Sequence, residues 1–163
     1  ENSYKLESIF EVTEQLRFRF GINALILDPW NNIETRIRDP NTDIPQILMK
    51  IRNFARKNQI SVILVAHPVK MPKALDGKNY EVPCPYSING SSHFFNYADF
   101  ILTVYRYFDI DNFPKKSEPE IYIQKVKDKA YGEIGKVNFN YILHTQTFEE
   151  WQYDKGTRLR PEY

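Results

Sequence analysis

The sequence predicts an α/β fold: a mainly parallel sheet with flanking helices and a C-terminal antiparallel hairpin extension. Three observations carry this. Two unbroken apolar runs, Ala24-Leu25-Ile26-Leu27 and Ser61-Val62-Ile63-Leu64-Val65-Ala66, lie on either side of an amphipathic helical stripe. Such runs mark strands buried on both faces, as in a parallel sheet covered by helices. Each run ends in a polar residue and a proline, Asp28-Pro29 and His67-Pro68. Beyond residue 119 the pattern turns to strict alternation, the period of strands with one face in water.

In chain order, residues 4–18 form a first helix with Ile9, Val12, Leu16 and Phe20 on one face, stopped by Gly21. The strand 24–28 follows, then a polar, turn-rich stretch. A second helix over 42–58 is capped by Asn41 or Thr42 and buries Ile44, Ile47, Leu48, Ile51, Phe54 and Ala55. Pro45 is tolerated as a first-turn residue. The strand 61–66 closes a βαβ unit, which implies parallel pairing through a right-handed crossover. Residues 69–88 hold three prolines and three lysines with no periodicity and form a long loop. A short helix near 90–97 leads to a third apolar strand, 100–105, and a second loop, 107–119. Ile121 and Ile123, then 136–142 and 147–153, alternate as antiparallel strands around Gly132 and Gly135. The folded body spans 1–154 and a basic tail 155–163, with Lys155, Arg158 and Arg160.

The 163 residues are enough for one domain with a core. Hydrophobic residues at 42% and charged residues at 26% are ordinary for a globular domain. A net charge of +1 excludes a broadly basic nucleic-acid module, so any DNA contact is local. Aromatics reach 15%; ring packing in the core explains this better than base stacking. Cys84 is the sole cysteine, which excludes an internal disulfide and fits a reducing, cytoplasmic setting. No run of 18 apolar residues exists, so no membrane partner is expected. Glu1-Asn2-Ser3-Tyr4 reads as a truncation boundary rather than a signal peptide.

Open α/β sheets bind ligands beyond the carboxyl ends of their strands, where Asp28 and His67 stand. A carboxylate closing a buried strand is how P-loop NTPases support Mg²⁺. Taken singly, Asp28 reads more readily as a turn-former and His67 as a structural histidine. Lys70, Lys73 and Lys78 on a polar loop read, taken alone, as solvated charges, diluted by Asp76 and Glu81. Tyr86, Phe94, Phe95 and Tyr97 read as packing for a short helix.

In sequence order the segments 25–31, 62–68, 87–99 and 124–135 resemble the later motifs of the RecA-like hexameric replicative helicases, the DnaB, Twinkle and bacteriophage primase-helicase superfamily. The resemblance covers roughly residues 20 to 150. It implies a RecA-like fold and the C-terminal part of an ATPase core. By it, Asp28 matches the Walker B aspartate that supports Mg²⁺, and His67 the residue that senses the γ-phosphate of ATP. Lys70, Lys73 and Lys78 fall in a channel-facing loop. Gly90, Ser91, Ser92 and Asn96 match the motif shaping the next DNA-facing loop. Lys125 and Lys127 align with cations that reach a neighbouring subunit's ATP. The implied partners are single-stranded DNA and five further copies in a homo-hexamer.

The chain departs from that pattern twice. Position 127 is lysine where the family carries an arginine finger, and lysine lacks the bidentate fork; Lys129 or Arg106 is available to assist. No G-x-x-x-x-G-K-[ST] occurs, so the fragment alone is expected not to hydrolyse ATP. Two other readings stay open: a non-catalytic RecA-like DNA-binding or regulatory module, and a RadA-like recombination ATPase.

Overall fold

The computed structural model describes residues 4–34, 37–77, 79–88, 91–106, 119–142 and 144–150. They form two compact units, Glu1–Val69 with Ile88–Tyr97, and Lys70–Ser87 with Ala98–Tyr163. The loop 107–118, the strand end 151–153 and the tail 155–163 lie outside the described residues.

In the first unit, β1 (Tyr4–Lys5) runs into α1 (Leu6–Phe20), which ends at Gly21 in the left-handed conformation, φ 67°. There glycine carries no steric cost, and its N–H caps the Arg17 carbonyl at 2.9 Å. β2 (Ala24–Leu27), β3 (Ile33–Glu34), α2 (Pro40–Asn58), β4 (Ser61–Leu64) and α3 (Ser91–Tyr97) follow. β2 and β4 pair in parallel with Leu27 opposite Leu64, and β1 pairs in parallel with β3.

Period-two alternation sends Leu25, Leu27, Val62 and Leu64 into one core with Leu6, Trp30, Ile44, Leu48, Ile51 and Phe94. All three helices contribute to that core. The other face carries Ile26 and Ile63, register partners that are 62% and 50% exposed. The expectation of strands buried on both faces is therefore corrected: among the described residues the pair is covered on one side only. An unbroken apolar run fixes a strand's suitability for double burial, and a second covering layer has to realise it.

The first helix also turns differently from the expected stripe. Val12, Leu16 and Phe20 are exposed, while Leu6 and Thr13 are buried and Ile9 and Phe10 pack inward. Both stripes fit a 3.6-residue period. Phe10 stacking flat on Phe54, centroids 3.9 Å apart, accompanies the stripe that is buried. Glu7 with Lys50 and Glu14 with Lys57, each at 3.1 Å, flank the contact between α1 and α2.

The second helix starts earlier than Asn41. Asp39 is its N-cap, accepting from the Asn41 N–H at 3.1 Å and the Thr42 hydroxyl at 2.6 Å. Pro45 consequently sits beyond the first turn, inside the helix. The Thr42 hydroxyl first, then the Asn41 N–H, hold the Asp39 carboxyl below its ordinary value of 3.8. A lowered folded value gives a contribution that is complete above the unfolded value and drains as pH falls through the lowered one. Asp39→Ala should therefore lower the thermal midpoint at neutral pH, and the gap to wild type should close in strong acid. Scanning calorimetry across that range checks this, and a gap independent of pH refutes it.

In the second unit, β5 (Phe100–Arg106), β6 (Pro119–Val126), β7 (Gly135–Ile142) and β8 (Thr147–Glu150) form an antiparallel sheet in that order. The third apolar strand is thus the first strand of the antiparallel sheet; its pairing is with β6, seven residues against seven. This corrects the mainly parallel sheet to a mixed α/β architecture with separate parallel and antiparallel sheets. Alternation in β5 leaves Phe100, Leu102 and Val104 exposed.

Candidate functional site

Asp28 leaves β2 immediately after Leu27, and His67 follows β4 by three residues; both are exposed. Because the strands run parallel in register, the two polar groups emerge at the same end of the pair. The turn after Asp28 is tied down. Val65 donates its N–H to the Leu27 carbonyl at 2.9 Å, and Trp30 donates its N–H to the Val65 carbonyl at 2.7 Å. Trp30, 6% exposed, roofs the turn and meets Phe94 of α3 edge-on, centroids 5.3 Å apart.

Phe94 in turn fixes α3. Ser92 and Asn96, one turn apart, are both exposed on it, while Phe94 is buried. Ser91 opens the helix, and Gly90 lies outside the described residues. Trp30 is a site element that motif order and periodicity do not single out; the signal for it is its position directly after Asp28-Pro29.

In the second unit, Lys70 and Lys73 are exposed and Lys78 lies outside the described residues. The segment from 69 to 88 is more ordered than its composition predicts. Lys73 bridges Tyr80, the Glu81 N–H donates to the Pro72 carbonyl at 3.0 Å, and Asn79 donates to Asp76 through both its backbone N–H (2.9 Å) and its side-chain amide (2.6 Å). The sheet holds this hairpin by polar contacts: the Tyr105 hydroxyl donates to the Tyr80 carbonyl at 2.5 Å, and the Gln124 amide to the Pro83 carbonyl at 2.7 Å.

Gln124 has this reach because of a bulge. Ile101 faces Lys125 while Leu102 faces Ile123, so Gln124 is the extra residue in β6. Lys125 and Ile123 consequently lie on opposite faces, which plain alternation would not give. Lys127 sits just beyond β6 rather than on it. Its backbone N–H donates to the Asp99 carbonyl at 2.9 Å, and its ammonium pairs with the Asp99 carboxylate at 3.1 Å. The anion facing Lys127 is thus a side chain of its own unit. Asp99 was legible only as the end of the 87–99 segment.

Among the described residues no three His, Cys, Asp or Glu side chains gather to hold a metal. Of the two groups at the strand ends, Asp28 is the one that offers a carboxylate. Mg²⁺ accepts such a site when phosphates and water fill its other positions. The donor set fits an ion that arrives with a nucleotide and not one caged by protein. Among the described residues no helix is long and apolar enough to cross a membrane.

Parallel strands ending in an acidic and an imidazole group, followed by an antiparallel sheet, define a mixed α/β protein. No family model matches the chain. It is 29% identical over 148 residues to the Twinkle homolog protein, chloroplastic/mitochondrial, of Arabidopsis thaliana, covering 89% of this chain and 20% of that protein. A DnaB-like replicative helicase, solved in a study of its interactions with primase, superposes with a TM-score of 0.72 at 20% identity, over 93% of this chain and 36% of its own. A KaiC-like protein from Pyrococcus horikoshii OT3 gives 0.54 at 13% identity, over 90% of this chain and 56% of its own. The chain is thus similar in sequence to the Twinkle homolog and in fold to the DnaB-like helicase and the KaiC-like protein. It spans about a fifth of the Twinkle homolog's length. That relative is named for chloroplast and mitochondrion, which lends no support to the cytoplasmic expectation.

Proposed function

We propose that this chain is part of an ATP-driven replicative helicase that translocates on single-stranded DNA as a hexameric ring and unwinds duplex. The observation that carries the reading is the parallel register of β2 and β4, with Asp28 and His67 leaving the same end. When bound, Mg²⁺ and ATP supply the phosphoanhydride to be split and the charge that neutralises its oxygens. Asp28, on a strand-anchored turn, would hold the ion, and His67 would answer the terminal phosphate. A glycine-rich loop, whose pattern does not occur in this chain, would supply the backbone N–H groups that cradle the phosphates. Lys125 and Lys127 serve the neighbouring subunit's nucleotide. Lys70, Lys73 and Lys78 meet the DNA backbone, and Gly90, Ser91, Ser92 and Asn96 shape the adjacent DNA-facing loop.

The test uses the longer protein that contains this chain and measures ATP hydrolysis with and without single-stranded DNA. Hydrolysis should be DNA-stimulated and abolished in Asp28→Ala. Removal of Lys70, Lys73 and Lys78 should flatten the salt dependence of DNA binding, by roughly 0.7 in the log–log slope for each phosphate these lysines neutralise. A folded protein without stimulated hydrolysis, or with an unchanged slope, refutes the corresponding half of the reading. A second reading, a non-catalytic RecA-like module that binds DNA or a partner, is favoured by one observation: Lys127 is a lysine already paired with Asp99.

A further inference from the structure

We infer that Asp99 is the positioning residue for Lys127, supplying the orientation that an arginine fork would otherwise carry. This rests on the helicase reading above. The two residues meet twice, N–H to carbonyl at 2.9 Å and ammonium to carboxylate at 3.1 Å. The first bond extends the β5–β6 ladder one step past the Phe100–Val126 pair. It fixes the lysine backbone on a sheet. The second fixes the direction of a long side chain that has four rotatable bonds and is otherwise free to sweep.

An ammonium has three N–H donors, and the carboxylate contact uses one. Two donors stay available for an incoming phosphate without breaking the pair. A guanidinium presents its donors in a rigid plane and needs less help. Lysine in this position therefore benefits from an external guide. The pair is about half exposed on both sides, 49% for Lys127 and 52% for Asp99, so an anion can approach. That exposure also bounds the effect, since exposed ion pairs are individually modest.

The experiment compares Asp99→Ala in the wild-type and Lys127→Arg backgrounds of the longer protein, reading kcat and KM for DNA-stimulated ATP hydrolysis. Asp99→Ala should lower kcat by about two- to fivefold with KM unchanged, the size an exposed pair allows. In the Lys127→Arg background the same substitution should cost little. Equal losses in both backgrounds would mean that Asp99 acts on the sheet and not through Lys127, and overturn the inference. No loss in either background overturns it as well. Lys127→Ala is run alongside: if it leaves turnover intact, the trans role of Lys127 in the helicase reading fails, and the positioning role falls with it. Competitive lysine acylation with mass-spectrometric readout checks the pairing independently of turnover. Lys127 should react about two- to fivefold faster in Asp99→Ala, with Lys70 as internal reference; an unchanged ratio overturns the pairing.

Discussion

On the proposed helicase function, Lys127→Ala should lower DNA-stimulated ATP turnover by about 10³- to 10⁵-fold, the range that cationic fingers contribute in NTPases. The physical reason is where charge develops. Phosphoryl transfer leaves little covalent work for the protein, so a cation on the spreading negative charge carries much of the acceleration. Nucleotide binding should survive, because the proposed role of Lys127 is toward a neighbouring subunit's nucleotide and not its own. Lys127→Arg should keep or raise turnover by restoring a bidentate fork.

The trans assignment has its own test. Lys127→Ala subunits mixed with Asp28→Ala subunits create some interfaces with both partners intact. Mixed rings should recover turnover that neither variant shows alone. If both variants assemble and mixing restores nothing, Lys127 does not act across the interface, and the non-catalytic reading gains. The two residues lie in different units of this chain, Asp28 in the first and Lys127 in the second.

What was legible in the sequence is whatever depends on local period and order. The run 24–27 and residues 61–64 of the run 61–66 became parallel strands in register, and the alternating stretches after 119 became antiparallel strands over 119–126, 135–142 and 147–150. Gly21 ended its helix as its missing Cβ predicts. What was illegible depends on partners distant in sequence. The buried stripe of α1 turns on Phe10 meeting Phe54, and two stripes satisfy the same period. The bulge at Gln124 inserts one residue and changes which face Lys125 occupies, a shift no alternation pattern announces. Asp99 and Lys127 are 28 positions apart, so their pairing exists only once β5 and β6 are zipped. The loop 69–88 looked unanchored because its anchors are carbonyls of the loop itself, gripped by Tyr105 and Gln124.

Trp30→Ala should produce the largest loss of stability among single substitutions near the site. Trp30 is 6% exposed in the core of the first unit and packs edge-on against Phe94. Truncating a buried tryptophan costs about 3–5 kcal/mol through forfeited transfer free energy and the cavity left behind. Against a total of roughly 5–15 kcal/mol for a domain, that is a large fraction. With a urea slope of about 1–3 kcal/mol per molar, the midpoint should fall by about 1–5 M. Ile26→Ala is the control, because Ile26 is 62% exposed and its loss should stay within about 0.5 kcal/mol. Trp30→Phe should recover part of the loss by refilling the pocket beside Phe94. The substitution also reaches function by a defined route. Trp30 holds the turn after Asp28 through its backbone bond to Val65, and it buttresses α3, which displays Ser92 and Asn96. Hydrogen exchange should therefore quicken together at Trp30 and along α3 in Trp30→Ala, while β6 and β7 in the other unit keep their protection. A midpoint shift no larger than that of Ile26→Ala would show that Trp30 is not the keystone of this corner. Exchange quickening equally in both units would show that the loss is global and not confined to the turn and helix it supports.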